Sequence, residues 1–430
     1  MKRTFAACAL LCVATVVQAA VKIEHWVAPS GARIYFVESH VLPIVDIQVS
    51  FAAGSGFDPA DKVGLASLTR SLLDAGAGDL DEEKIAGRLV DTGARLSGST
   101  DVDRANVTLR TLSTKAERDA ALELMRVVLQ QPRFPAEVLE REKARTIAGI
   151  KEADTRPDSI AAKRFSAAMY PSHPYGFNAT VETVGRIGRD DIEKFYRNYY
   201  SAARSTVAIV GDLTRAEAEA VAQQLTAGLP EGGTGGSLPE VQLPKSGVVK
   251  VAHPATQSHI HVGMPGMRRG DPDFFPLLVG NYILGGGGFV SRLLKEVREK
   301  RGYAYSVYSF FQPYKEPGPF EIGLQTKREQ SEDALKVVEQ TLGEFLKKGP
   351  TEEELKSAKR NLIDGFGLRI DSNKKILDHV AVIGFYGLPL NYLDEYPKQV
   401  EKVTAAQIRD AFARRILPEH LVTVIVAGKT

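Results

Sequence analysis

The sequence predicts an α+β protein built from two copies of one unit, each a sheet with helices packed on it. Three observations carry this. First, Ile187, Ile192 and Tyr196 lead into the apolar run 206–211 (TVAIVG), and Val403, Ile408 and Phe412 lead into 422–428 (VTVIVAG), about 216 positions later. Second, a Val/Ile-rich alternating stretch (44–51; 259–264) runs through a glycine-rich turn to Asp-Pro (Asp58-Pro59; Asp271-Pro272) and then to an apolar helix in both halves. Third, residues 227–246 (AGLPEGGTGGSLPEVQLPKS) hold no apolar periodicity and divide the chain into near-equal parts. The predicted organisation is a leader over 1–20, a first repeat over 21–226, a linker over 227–246 and a second repeat over 247–430.

The leader is expected to be a secretory signal peptide. Lys2 and Arg3 precede the apolar stretch 5–17, and Val17-Gln18-Ala19-Ala20 matches a small-residue cleavage site, at 19 or 20. Both cysteines, Cys8 and Cys12, lie inside it, so the mature chain has no thiol for a disulfide, a nucleophile or a metal. With 55 Lys and Arg against 53 Asp and Glu, loss of Lys2 and Arg3 brings the formal charge to zero. No electrostatic footprint for nucleic acid or an anionic membrane exists, and no later apolar run reaches the roughly 18 residues that span a bilayer. An exported protein is expected, with the periplasm as its compartment.

In the first repeat the helix after Asp58-Pro59 carries Leu65, Leu68 and Leu72 on its buried stripe, with Ser67, Arg70 and Ser71 beside them. Helices follow over 82–93, 115–130 and 135–152, with a strand over 105–112. The second repeat reads as helices over 274–284, 331–348 and 351–366 and a strand over 320–326. Between them the period changes within 293–311 (LLKEVREKRGYAYSVYSFF). Leu293, Leu294 and Val297 have helical spacing and Gly302 stands at a left-handed C-cap. From there Tyr303, Tyr305, Val307 and Ser309 alternate with Ala304, Ser306, Tyr308 and Phe310, which places Arg298 of the last helical turn near Tyr305. Taken alone, this is a solvated arginine beside a packed aromatic strand.

The resemblance enters on the motifs taken together. Residues 52–73 (AAGSGFDPADKVGLASLTRSLL), 140–152 (EREKARTIAGIKE), 170–176 (YPSHPYG) and 283–309 (ILGGGGFVSRLLKEVREKRGYAYSVYS), with both strand endings, resemble the pitrilysin-like (insulinase-type) zinc metallopeptidases over nearly the whole mature chain. The resemblance implies two homologous repeats with mostly antiparallel sheets, as in mitochondrial processing peptidases. Active members bind zinc through His-x-x-Glu-His: two histidines on one helix face, a glutamate as general base, and a distant glutamate as third ligand. The matching positions here are Ser67, Arg70 and Ser71, with Glu142 at the third-ligand position. Hydroxyls are poor zinc ligands and a guanidinium is no base at neutral pH, so no metal is expected in this chain. A salt bridge between Arg70 and Glu142 is one expectation.

Of the eight histidines none has four-residue helical spacing. His259 and His261 share a strand face and are the best remaining metal candidates, though they read first as ordinary strand residues; His173 reads as a turn residue. Gly285, Gly286, Gly287 and Gly288 lack the order of a phosphate loop, and the resemblance places them by the entrance to a substrate chamber. Asp190-Asp191 and Asp101/Asp103 read as helix-start and turn acids.

The resemblance further implies that Arg298 and Tyr305 complete an active site, Tyr305 donating to the oxyanion and Arg298 holding the substrate backbone. Some bacterial relatives work as heterodimers in which one subunit brings zinc and its sister the Arg/Tyr pair. The expected function is therefore a non-metallated subunit of a heterodimeric zinc endopeptidase, partnered by a zinc-bearing sister and acting on peptides or unfolded chains. A structural or peptide-binding protein of the same fold, and an autonomous peptidase around His259 and His261, are the alternatives.

Overall fold

The computed structural model describes residues 21–233 and 236–428; the expected signal peptide lies outside them. Its strands in chain order are β1 (Glu24–Val27), β2 (Arg33–Glu38), β3 (Ile44–Phe51), the short hairpin β4 (Gly76–Ala77) and β5 (Leu80–Asp81), β6 (Arg95–Thr100), β7 (Ala105–Leu112), β8 (Ser205–Gly211), β9 (Gly247–Val251), β10 (Gln257–Met267), β11 (Ala304–Phe311), β12 (Gly318–Lys327) and β13 (Val422–Val426). The first sheet has the order β1-β2-β8-β3-β7-β6 and the second β11-β12-β10-β13-β9. Read from the other end, the second order is the first without β1. The pairing senses match as well. β2 runs parallel to β8 and β9 to β13, while every other neighbouring pair in the two sheets is antiparallel. The two-copy, mostly antiparallel α+β architecture is thus present.

The recurrent apolar runs that revealed the repeat are β8 and β13, and every residue of both is buried. A strand covered on both faces reads as a continuous apolar run, which is why these two were so visible. The helices Lys115–Gln130, Ser331–Lys348 and Glu352–Asp364 stand where their periodicity placed them. The helix Arg215–Thr226 ends where residues 227–246 begin, and β9 opens directly after them.

Two helices missed in the sequence exchange between the halves. Pro157–Met169, from the first half, lies on β10 and β13, where Phe165 and Met169 pack with Val422, Val424 and Val426. Asn373–Tyr386, from the second, lies on β2, β3 and β8, and at Gly384 a Cβ would press on the Tyr35 ring and Thr206. Each half therefore covers the other's sheet. Between them Asp103, almost fully buried, accepts hydrogen bonds from the hydroxyls of Tyr175 and, at 2.8 Å, Tyr386, and from the Lys315 amide at 2.8 Å. Its neighbour Asp101 holds the turn by accepting from the amides of Asp103 and Arg104, and Asp191 closes a helix start by accepting from the Gly188 amide.

Candidate active-site positions in the two halves

The second half builds its candidate site between a loosened helix and a bulged strand. Phe274–Asn281 is helical and largely apolar, and the chain then widens over Tyr282–Gly286, where the Gly287 amide reaches back five residues to the Tyr282 carbonyl at 2.8 Å. A second wide turn covers Leu294–Glu299, closed by Lys300 N to Lys295 O at 3.0 Å. Such i→i+5 turns are rare and concentrate at functional sites. Gly302 takes the left-handed conformation (φ 65°) and its amide caps the Arg298 carbonyl at 2.8 Å, as its position predicted.

Beyond the cap the alternation breaks. Ala304 pairs with Thr326 and Val307 with Leu324, so Tyr305 and Ser306 together oppose Gln325 in a β-bulge. The expectation that Tyr305 shares a face with Val307 and Ser309 is corrected: those two are buried while Tyr305 is 84% exposed. The extra residue turns the phenol out of the core. The Arg298 guanidinium carbon stands 4.7 Å from the Tyr305 ring centre and 5.3 Å from that of Phe289, which is itself 70% exposed. Arg298 forms no ion pair with the described residues, so two aromatic faces hold it. Sequence reasoning passed over Phe289; a large apolar residue directly after four glycines and before a helix was the available signal.

The glycine run serves packing as much as freedom. A Cβ on Gly285 would collide with the amide and hydroxyl of Ser309, the residue clasped to Asn281 through Ser309 Oγ to Asn281 Oδ1 at 2.7 Å and Asn281 Nδ2 to Ser309 O at 3.0 Å. Gly288 is open on all sides but has φ 59°. Gly285→Ala is expected to cost about 3 kcal/mol by overpacking and Gly288→Ala about 1 kcal/mol by backbone strain alone, a difference readable in urea unfolding.

Arg292 anchors the same helix to its neighbour through a bidentate contact with Glu354, at 2.7 and 2.6 Å, and a bond to the Gly349 carbonyl at 3.0 Å. Burial pushes the Glu354 carboxyl up, but Arg292 and the Thr351 amide outweigh it and hold it at about 2. A carboxyl held below its unfolded value stabilises the fold above that value and ceases to as it protonates. Its contribution is complete above pH about 4.5 and lost as pH falls towards about 2. Glu354→Gln should lower the melting temperature at neutral pH and flatten its fall across that window.

The first half holds the zinc-motif positions on the helix Leu65–Leu72, whose first turn is capped by Asp58 accepting from the amides of Gly64 (2.8 Å) and Ala66 (2.7 Å). Ser67 and Ser71 are exposed, and Ser71 Oγ donates to the Leu68 carbonyl at 3.0 Å. Arg70 turns inward: Nε donates to the Asn106 carbonyl at 2.6 Å and Nη1 reaches Asp74 at 3.4 Å. Its guanidinium lies across β6 at Gly98, where a Cβ would collide with it. Glu142, on the helix Ala136–Ala153, contacts Arg141 and Arg145 instead. The expected Arg70–Glu142 bridge is not made, because Asn106 and Asp74 lie nearer the inward path of the side chain. Two exposed hydroxyls and a buried guanidinium do not fit zinc. Nor, among the described residues, do three or more His, Cys, Asp or Glu side chains gather as a metal would need. His261 Nδ1 pairs with Glu321 at 2.7 Å, His259 Nε2 meets Gln325 Nε2 at 3.3 Å, and His173 accepts from the Tyr175 amide as a turn residue. No hydrogen bond, ion pair or ring contact joins Arg298 or Tyr305 to the zinc-motif positions.

Comparison with known proteins identifies the family. The insulinase (peptidase family M16) model matches residues 33–181 and the peptidase M16 inactive domain model residues 186–362. The Helicobacter pylori protein described as non-peptidase homolog YmxG is 26% identical over 401 residues, covering 92% of each chain. A crystal structure of a peptidase M16 inactive domain from Pseudomonas fluorescens superposes with a TM-score of 0.91 at 36% identity, over 95% of this chain and 98% of that one. The periplasmic protease PqqL of Escherichia coli shares the fold, at a TM-score of 0.81 and 15% identity, this chain spanning 46% of it. The chain belongs to the M16 family of insulinase-type, pitrilysin-like peptidases, as a member whose zinc helix lacks its ligands.

Proposed function

We propose that this chain is the non-metallated subunit of an exported heterodimeric zinc endopeptidase, forming half of a peptide-binding chamber and supplying Arg298 and Tyr305 to a zinc-bearing sister. The observation that carries the reading is the bulge that turns Tyr305 outward against Arg298. A tyrosine kept for packing would be buried, whereas this phenol faces away from its own core with a cation stacked on it. The sister's zinc would supply the activated water. In this chain Tyr305 Oη donates to the oxyanion that forms on the scissile carbonyl, and Arg298 orients the peptide carbonyls beside it. The edge strands β6 and β11 each leave one side open to backbone pairing, suited to an extended peptide added as a further strand. The apolar stretch 5–17 behind Lys2 and Arg3 supports export, and N-terminal sequencing of the mature protein would test it.

The test is peptide hydrolysis with added zinc by this chain, by the candidate zinc-bearing sister, and by their mixture. Activity in the mixture alone supports the proposal. Activity of the isolated chain, with metal bound, would favour an autonomous site. A second reading, a peptide-binding protein without catalysis, is favoured by the Arg70 side chain built into the zinc helix; failure of any zinc-bearing sister to co-purify would support it.

A further inference from the structure

A cleft of about 390 Å³ opens on the second half, lined by neither member of the Arg/Tyr pair, between the loop after β10 and the helix Tyr392–Lys402. Its apolar walls are Phe274, Phe275, Tyr392 and Leu388, with the Phe275 and Tyr392 rings stacked at 6.2 Å and 30°, and the carboxylates of Asp271 and Glu395 also line it. Arg269 is the basic residue of the lining.

The guanidinium of Arg269 has no polar partner among the described residues. Its Nε is buried without an acceptor, and no carboxylate stands within 4.0 Å of it. Its face lies 5.5 Å from the centre of the Tyr386 ring. Every nearby acid is engaged elsewhere. Asp271 accepts from Arg415 at 2.7 Å, Asp273 takes Arg414 and Arg415 at 2.8 Å, Glu395 at the lip pairs with Lys398 at 2.8 Å, and Asp103 takes the tyrosine hydroxyls. Burial lowers the Arg269 pKa, yet a guanidinium starts so high that it stays charged at neutral pH. A half-buried cation whose Nε lacks an acceptor and which has no ion pair gains from an anion entering the cleft. The larger polar cavity around Arg292, Lys295 and Arg301 shows the contrast, since there Glu354 and Glu296 already satisfy Arg292 and Arg301.

We propose that this cleft binds a monocarboxylate carried on an apolar, aromatic-sized body, with the carboxylate on Arg269 and the body between Phe275, Tyr392 and Leu388. A pocket of this volume suits a ligand of that size. The proposal is independent of the peptidase reading. A free aromatic or aliphatic acid and the C-terminus of a peptide ending in a bulky apolar residue share this chemistry.

The experiment titrates the full mature chain, by calorimetry and saturation-transfer NMR, with 3-phenylpropanoate, 3-phenylpropanamide, decanoate, N-acetyl-Ala-Phe and its C-terminal amide. The acids are expected to bind at least about tenfold more tightly than the matching amides. Arg269→Gln should remove that preference. Leu388→Trp, which fills the cleft and leaves the cation in place, should block acid and amide alike and keeps the test valid if Arg269→Gln fails to fold. Stronger binding of phenylpropanoate would identify free acids as the ligand class, and stronger binding of N-acetyl-Ala-Phe a peptide end. Equal affinity for acid and amide, a preference that survives Arg269→Gln, or no binding of any acid at several millimolar would overturn the proposal.

Discussion

Tyr305→Phe is expected to lower kcat of the reconstituted pair by about 10²–10³-fold, the loss typical of one preorganised oxyanion donor. The substitution removes one oxygen from a side chain that is 84% exposed and hydrogen-bonds to none of the described residues. Folding should therefore be indifferent to it, and the melting temperature of the isolated subunit should stay within a degree or so of the parent. The ring remains, so the stacking of Arg298 remains. This makes the variant a clean separation of the hydroxyl from the platform beneath it. A mixture whose turnover is unchanged by Tyr305→Phe would return the residue to a surface role. Turnover lost together with complex formation would assign it to the subunit interface instead.

Arg70→Glu, which writes the general base of active relatives back into the zinc helix, should lower the melting temperature by roughly 10 °C. The Arg70 side chain is 7% exposed, and its partners are a carbonyl oxygen and the Asp74 carboxylate. A glutamate there would face two acceptors with no donor, in a space shaped for a guanidinium by the absence of a Cβ at Gly98. Breaking a buried polar contact this way costs about 3–5 kcal/mol. In a cooperative unit of some 200 residues each kcal/mol moves the midpoint by about 2–4 °C. The same loss should persist when Ser67 and Ser71 are also changed to histidine, because those side chains point to solvent and cannot repair the interior. Scanning calorimetry of the single and triple variants would check it, and an unshifted midpoint would show Arg70 to be dispensable filling.

Legibility followed burial. The runs 206–211 and 422–428 were found because a strand covered on both faces is mostly apolar, and the helix Leu65–Leu72 was found because its buried stripe has helical spacing. The helices Pro157–Met169 and Asn373–Tyr386 left weaker traces, since each is half-covered by a sheet from the other half and its apolar face has no partner nearby in sequence. Their caps were nonetheless readable: Pro157 at the first turn of one, Ser372 before and Gly387 after the other. The bulge was not. One residue opposite two is a property of the pairing with β12, and the sequence of β11 alone continues to alternate through it.

What the sequence by itself determined is the repeat, the change from histidine and glutamate chemistry to Ser67, Arg70 and Ser71, and the spacing that sets Arg298 one helix end away from Tyr305. The repeat and the spacing are matters of composition and period, which local chemistry records directly, and the change at the zinc positions is what the resemblance implies. Only the tertiary structure decided which way Tyr305 faces, that Arg70 goes to Asn106 and Asp74 and not to Glu142, and that each half roofs the other's sheet. Each of these depends on contacts between segments far apart in the chain. There the choice among partners is made by distance and burial in three dimensions, which no local pattern of residues encodes.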